Sequence, residues 1–204
     1  MSQRFNIILC DPPWHYPSRN RKDFGGAAES HYPTMTLDEM CKMPVPSIVA
    51  DDAVIFMWAT WPRLKDSISL MEAWGFTYRT LGFIWVKVFK NGKFASGMGM
   101  GFFTKEGSEP CLLGTKNTHR NSIVAIRHDI SSVVVSPRSE HSRKPAEVRE
   151  KIVQLFGDLP RCELFAREKV DGWKAFGNEV ESDFELKGDT DGLQGLRNRE
   201  EEAE

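Results

Sequence analysis

Residues 11 to 14 read Asp-Pro-Pro-Trp and follow directly on a short apolar run, Phe5-Asn6-Ile7-Ile8-Leu9-Cys10. That run has the length of a buried strand. The two prolines stop it: each lacks an N–H and fixes φ, and each pushes the residue before it toward extended geometry. A carboxylate, a rigid carbonyl-bearing turn and a large aromatic are thereby held together at a strand's C-terminal end. In open α/β sheets that end is where ligands bind.

The remainder of the chain reads as alternating strands and helices. Residues 15–34 are polar, rich in Arg, Asn, Ser and Gly, and read as a long loop. Thr36 starts a short helix, with Glu39 three residues on completing a capping box. Ala53–Ala59 and Leu81–Val88 are strand patterns, separated by an amphipathic helix over Pro62–Trp74 that Gly75 closes. A glycine-rich loop over 92–108 leads to short strands at 110–114, 122–127 and 132–135. The spacing of Val148, Ile152, Leu155 and Phe156 predicts a helix over 144–156, ended by Gly157. Cys162–Ala166 is a last core strand, and 172–180 a closing turn and helix. Strands alternating with helices imply a mostly parallel sheet in one domain.

At 204 residues the chain is long enough for a full core, and no apolar stretch exceeds a strand in length, so none spans a membrane. Met1–Arg4 runs straight into the first strand with no signal-peptide pattern. Cys10, Cys41, Cys111 and Cys162 are scattered, which reads as buried free thiols in a reducing, cytoplasmic setting. His15, His31, His119 and His128 lack ligand spacing, and no metal is expected. Residues 181–204 hold nine acids and three bases, leaving 20 acids and 24 bases in residues 1–180, a net of +4. The domain therefore spans 1–180, mildly basic and compatible with a polyanion, and 181–204 reads as an acidic tail, disordered or loosely docked.

The Asp-Pro-Pro-Trp group suits one kind of chemistry. An adenine exocyclic amine is a poor nucleophile, because its lone pair is delocalised into the ring. Accepting hydrogen bonds from its protons localises that pair and stabilises charge developing on nitrogen. Asp11 can supply one acceptor and the Pro12 carbonyl the other, with Pro13 stiffening the turn. Trp14 offers a face for the purine, worth roughly 1–3 kcal/mol.

In this motif and in a series downstream, the chain resembles the MT-A family of S-adenosylmethionine-dependent N6-adenine methyltransferases. The segments are Phe56-Met57-Trp58-Ala59-Thr60, Trp74-Gly75-Phe76, Ile84-Trp85-Val86-Lys87, Gly97-Met98-Gly99-Met100-Gly101, Glu109-Pro110-Cys111-Leu112-Leu113-Gly114, His141-Ser142-Arg143-Lys144-Pro145, Glu163-Leu164-Phe165-Ala166-Arg167, Gly172-Trp173 and Gly177-Asn178-Glu179. They cover about residues 5–180. The resemblance implies an α/β, circularly permuted Rossmann-like methyltransferase fold, a mostly parallel central sheet flanked by helices, with the catalytic motif ahead of the cofactor motif.

It also implies S-adenosyl-L-methionine as cofactor. Lys144, opening its helix, matches the lysine that reaches the methionine carboxylate. Phe165 and Arg167 stand at the end of the strand that binds the nucleoside, Asn178 and Glu179 match the pair on adenosine and ribose, and Asp11 borders both cofactor and target. Glu163 is given no firm role. Arg19, Asn20, Arg21 and Lys22 could contact phosphates or be solvated, and Lys87 likewise. The implied substrate is adenine N6 in DNA, as in the small phage and bacterial members. Methylation of RNA and a catalytically silent nucleic-acid-binding subunit are the alternatives, and a homodimer stays open. The implied location is the cytoplasm of a bacterial or phage-infected cell.

Overall fold

The computed structural model describes residues 3–15, 34–95, 103–117, 123–137 and 143–186. Seven strands form one sheet in the order β5-β3-β4-β2-β1-β6-β7. They are β1 (Phe5–Cys10), β2 (Val49–Trp58), β3 (Thr77–Val88), β4 (Ser108–Lys116), β5 (Val133–Pro137), β6 (Arg161–Leu164) and β7 (Lys174–Phe176). Only β4 runs antiparallel to its neighbours β2 and β3; the β1–β2, β1–β6, β3–β5 and β6–β7 pairs are all parallel. The helices are α1 (Leu37–Cys41), α2 (Leu64–Ala73) and α3 (Glu147–Phe156).

Both faces of the sheet are covered, and the strand alternation shows how. From β1, Phe5, Ile8 and Cys10 join the core under α1 and α2, where Met40, Leu70, Met71 and Trp74 pack. Ile7 and Leu9 point the other way, into the core under α3 with Val148 and Ile152. The strand β2 divides likewise, Ile55 and Met57 to one side, Val54, Phe56 and Trp58 to the other. This period of two is why the central strands read as unbroken apolar runs. The Thr36 capping box forms as expected, with the Glu39 N–H donating to the Thr36 hydroxyl and the Thr36 N–H to Glu39 Oε2.

The permuted order is visible in the sheet. β1 lies between β2, which follows it in sequence, and β6, from the last third of the chain. The chain leaves β1 through α1 toward β2 on one side and enters β6 through α3 on the other, a topological switch point whose C-terminal edge is a natural crevice.

Several expected elements differ. The apolar stretch expected as a strand at 122–127 is not one over its described part, 123–127: the Ile126 N–H donates to Leu155 O (2.7 Å), and Val124 and Ile126 are exposed. The place beside β3 is taken by β5 instead. The closing helix expected over 172–180 is the strand β7, too short between Gly172 and Gly177 to show a period. The third helix begins at Glu147, not Lys144, because Pro145 drives the residue before it out of helical geometry. Residues 181–186, grouped with the tail, are docked. Asp183 exchanges bonds with the Ala175 backbone (2.8 and 2.9 Å), Phe184 packs 5.0 Å from Phe5, and Leu186 is buried.

The last two strands meet closely. A Cβ on Gly177 would lie 2.2 Å from the Ala166 carbonyl oxygen and 2.8 Å from its nitrogen. Backbone atoms cannot yield as a side-chain tip would. Gly177→Ala should therefore lose about 1–3 kcal/mol of unfolding free energy in a urea titration; an unchanged midpoint would show that this contact relaxes freely.

Candidate active site

The parallel strands bring their C-terminal ends to one edge of the sheet. Asp11 follows β1, Ala59 and Thr60 follow β2, and Phe165 to Arg167 follow β6. Antiparallel β4 brings its first residues, including Glu109, to the same edge. A cavity of about 160 Å³ opens there, lined by Asp11, Pro12, Pro13, Trp14, Trp58, Ala59, Thr60, Glu109, Lys144 and Arg167.

The turn after β1 is held by its own backbone. The Trp14 N–H donates to Pro12 O (3.0 Å) and the Met35 N–H to Pro13 O (2.8 Å), while the His15 N–H donates back to Met35 O (3.0 Å). Arg63 donates to the His15 carbonyl as well. The Pro12 oxygen keeps a second lone pair, since a carbonyl accepts two bonds. Trp14 borders the cavity with 6% of it exposed, and it packs in the core with Met35.

Charge alternates along the cavity wall. Lys144 Nζ donates to Asp11 Oδ2 at 2.7 Å and lies 3.4 Å from Glu109 Oε2. Glu109 in turn accepts from Lys87. Lys144 also lies 5.8 Å from the centroid of the Trp58 ring. Burial disfavours the Lys144 charge, yet the Asp11 and Glu109 carboxylates outweigh it and hold the pKa above the ordinary lysine value. Burial likewise raises Glu109, but Lys144 and Lys87 overcome it, and its carboxyl sits below the ordinary 4.5.

A second network stands behind the first. Arg149 on α3 makes two bonds to Glu163 on β6, 2.8 and 3.0 Å. Burial pushes the Glu163 carboxyl up, against the pull of the guanidinium. Glu168 pairs with Arg143 and approaches Arg149 at 3.5 Å. The segment from Arg143 to Arg149 is thus bonded both to β1 and β4 and to the end of β6.

Arg167 lines the cavity and pairs with Glu179 at 3.4 Å; Asn178 is exposed beside that pair. Phe165 does not line the cavity. Its φ is +59°, a left-handed conformation rare for a side chain of this size, and its ring stands 6.5 Å from that of Trp74. It makes the sharp exit from β6 that glycine usually makes in such folds. Lys87 is also absent from the lining and spends its charge on Glu109. Arg19, Asn20, Arg21 and Lys22, and the Gly97–Gly101 loop, lie outside the described residues.

Sequence reasoning assigned no role to Glu109, Trp58, Thr60 or Arg149. Glu109 is the clearest loss. Its placement depends on β4 running antiparallel, which its apolar pattern does not reveal. Cys10, Cys111 and Cys162 are buried, and burial pushes their thiols up, as suits unreactive packing residues. Among the described residues no group of three or more His, Cys, Asp or Glu could hold a metal, and no helix is long and apolar enough to cross a membrane.

With the Asp11 turn facing Lys144 and Arg167 across a switch-point crevice, the fold and site place the chain among the S-adenosylmethionine-dependent methyltransferases. The family model described as MT-A70 matches residues 5–179, and the chain belongs to that family. It is 33% identical to the Type II methyltransferase M.MunI of a Mycoplasma species, over 87% of this chain and 78% of that one. It is 28% identical to the N(6)-adenosine-methyltransferase subunit METTL3 of Danio rerio, over 87% of this chain and 28% of that one. With the N(6)-adenine-specific methyltransferase METTL4 of Mus musculus the identity is 30%, over 86% of this chain and 37% of that one. The chain thus spans well under half of these two vertebrate relatives.

The carboxylate–ammonium chain has a pH signature. A carboxyl with a lowered folded pKa contributes stability above its unfolded value and loses it as pH falls through the folded one. Glu109→Gln should cost on the order of 1–3 kcal/mol at neutral pH. The gap to wild type should close as pH drops below 4.5. Equal gaps at pH 7 and pH 3, in denaturant titrations, would remove Glu109 from the charge balance.

Proposed function

We propose that the chain methylates N6 of adenine in DNA, with Asp11, Pro12, Pro13 and Trp14 forming the target-base half of the site. The observation that carries this is the bond from Lys144 to Asp11, 133 residues apart in sequence, at the mouth of one cavity. It joins the base-side turn to the segment that leads into α3.

The residues present fit the cofactor: a lysine for the methionine carboxylate, and Arg167, Asn178 and Glu179 grouped at the ends of β6 and β7 for the nucleoside. Phe165 acts through its backbone turn. Bound S-adenosylmethionine supplies an electrophilic methyl group on sulfur. The protein's part is to prepare the nucleophile. Asp11 Oδ and the remaining lone pair of Pro12 O accept the two amine protons, drawing the nitrogen lone pair out of the ring. Lys144 holds the Asp11 carboxylate in place through their 2.7 Å bond. When the nitrogen gains its fourth bond, the same oxygens face the positive charge and Asp11 is placed to take the departing proton. Trp14, being packed in the core, acts as a rigid floor. For a duplex target the base is first flipped out, at a cost of a few kcal/mol.

DNA is favoured over RNA because the bacterial Type II methyltransferase matches over most of both chains, whereas the METTL3 subunit matches over a small part of its length. The net +4 of residues 1–180 suits either polyanion.

Incubation with labelled cofactor and matched DNA and RNA oligonucleotides tests the reading. Label should appear on DNA adenine; label on RNA alone overturns the substrate choice. Asp11→Ala should lower kcat by about 100-fold or more, as loss of a preorganised polar contact does. Lys144→Ala should raise the cofactor KM more than it lowers kcat at saturating cofactor. The opposite split would make Lys144 a partner of Asp11 alone.

A further inference from the structure

Beyond its last pairing with β4, β3 turns into a tight hairpin whose residues are Phe89-Lys90-Asn91-Gly92-Lys93-Phe94. The turn chemistry is clear. The Gly92 N–H donates to Phe89 O (2.8 Å), the Phe89 N–H to Lys93 O (2.8 Å), and the Lys93 N–H to Asn91 Oδ1 (3.1 Å). Gly92 has φ +79°, the left-handed position that ends a type I turn in a three-residue hairpin loop. Val88 bridges Phe94, and the Ala95 N–H donates to Lys87 O (2.9 Å). The tip is built, not loose.

Asn91 and Gly92 are explained by the turn; the other four residues are not. Phe94 is 68% exposed and Phe89 42%. Each forgoes much of the stabilisation that burying a phenylalanine brings. Lys90 and Lys93 are exposed and have no ion-pair partner among the described residues. Position adds to this. Lys87, at the hairpin's base, reaches Glu109 on the cavity wall, and Phe89 lies two residues further, roughly 7 Å at strand rise. That is about two base steps of 3.4 Å. Trp61, next to the cavity residue Thr60, is another exposed aromatic at this rim, pinned through Nε1 to Ser108.

We propose that the 88–95 hairpin is a docking platform for the DNA strand flanking the target adenine. Phe89 and Phe94 present faces to neighbouring bases, and Lys90 and Lys93 meet the phosphates between them. The alternation of aromatic and cation matches a strand whose bases and charges also alternate. The inference rests on the DNA reading above.

The test compares wild type with Phe89→Ala/Phe94→Ala and with Lys90→Gln/Lys93→Gln, all checked for an unchanged thermal midpoint. Methyl transfer is measured on a DNA oligonucleotide, and fluorescence anisotropy gives the Kd of the same labelled strand with S-adenosylhomocysteine present. The aromatic pair should raise the DNA KM and Kd tenfold or more, with kcat at saturating DNA and the cofactor KM within twofold of wild type. The lysine pair should flatten the fall of affinity with salt by one to two phosphate equivalents. Unchanged DNA KM, Kd and salt slope in both variants overturn the platform. So does a change in oligomeric state by light scattering with DNA binding intact, which would give the hairpin to a protein partner. If wild type transfers no label to DNA, the functional reading fails by itself, and the anisotropy series still decides whether the hairpin holds the strand.

Discussion

Lys144 is the charge on which the site depends. A strand edge that gathers Asp11 and Glu109 places two partly buried carboxylates at one wall of a cavity. Left alone, they would repel. One ammonium set between them, with Lys87 beyond Glu109, offsets both charges. Such a buried array contributes little net stability against an apolar replacement, because desolvation offsets the attraction. Its value is definition: it allows one arrangement of β1, β4 and the segment before α3, and that arrangement aims Asp11 into the cavity.

The Arg149–Glu163 and Arg143–Glu168 pairs extend the same logic to the end of β6. Residues 143–149 act as a shared fastening: Lys144 faces the base-side turn, and Arg143 and Arg149 face the end of β6. A fold whose catalytic motif comes first and cofactor motif last needs such a junction, because its two halves approach from distant parts of the chain. Neighbouring β1 and β6 supply the backbone contact, and these ion pairs supply the register of side chains.

Much of this was legible in the residues. The Asp-Pro-Pro-Trp break after an apolar run located the turn, because two successive prolines remove two N–H donors and fix φ at both positions. The Thr36–Glu39 box marked a helix start through a local bond. Where tertiary context decides, the reading failed. The stretch at 123–127 is apolar enough for a strand, but β5 takes the sheet edge beside β3. Lys144 resembles the start of a helix, yet Pro145 moves that start three residues on. Lys-Ala-Phe at 174–176 is too short to display a period and becomes a strand only because β6 offers it an edge. Trp14 illustrates a further limit: the sequence shows that an aromatic is present at the turn, but only packing shows how little of it is exposed at the cavity. Glu109 was missed because strand direction is invisible in a hydrophobic run.

The bonds between residues 13–15 and 34–35 have a consequence for how such enzymes diverge. Pro13, His15 and Met35 form a closed neck, with the His15 ring in contact with Thr34 (3.2 Å). The chain between these ends, residues 16–33, enters and leaves through one fixed doorway. Because closing a longer loop costs only about 0.6 kcal/mol per doubling of length, the neck insulates Asp11 from changes in what it encloses. Changes in the length or composition of that stretch can then leave the placement of Asp11 and Pro12 unaltered. His15 and Thr34 are accordingly the natural boundaries at which that stretch could be exchanged without disturbing the turn beneath it.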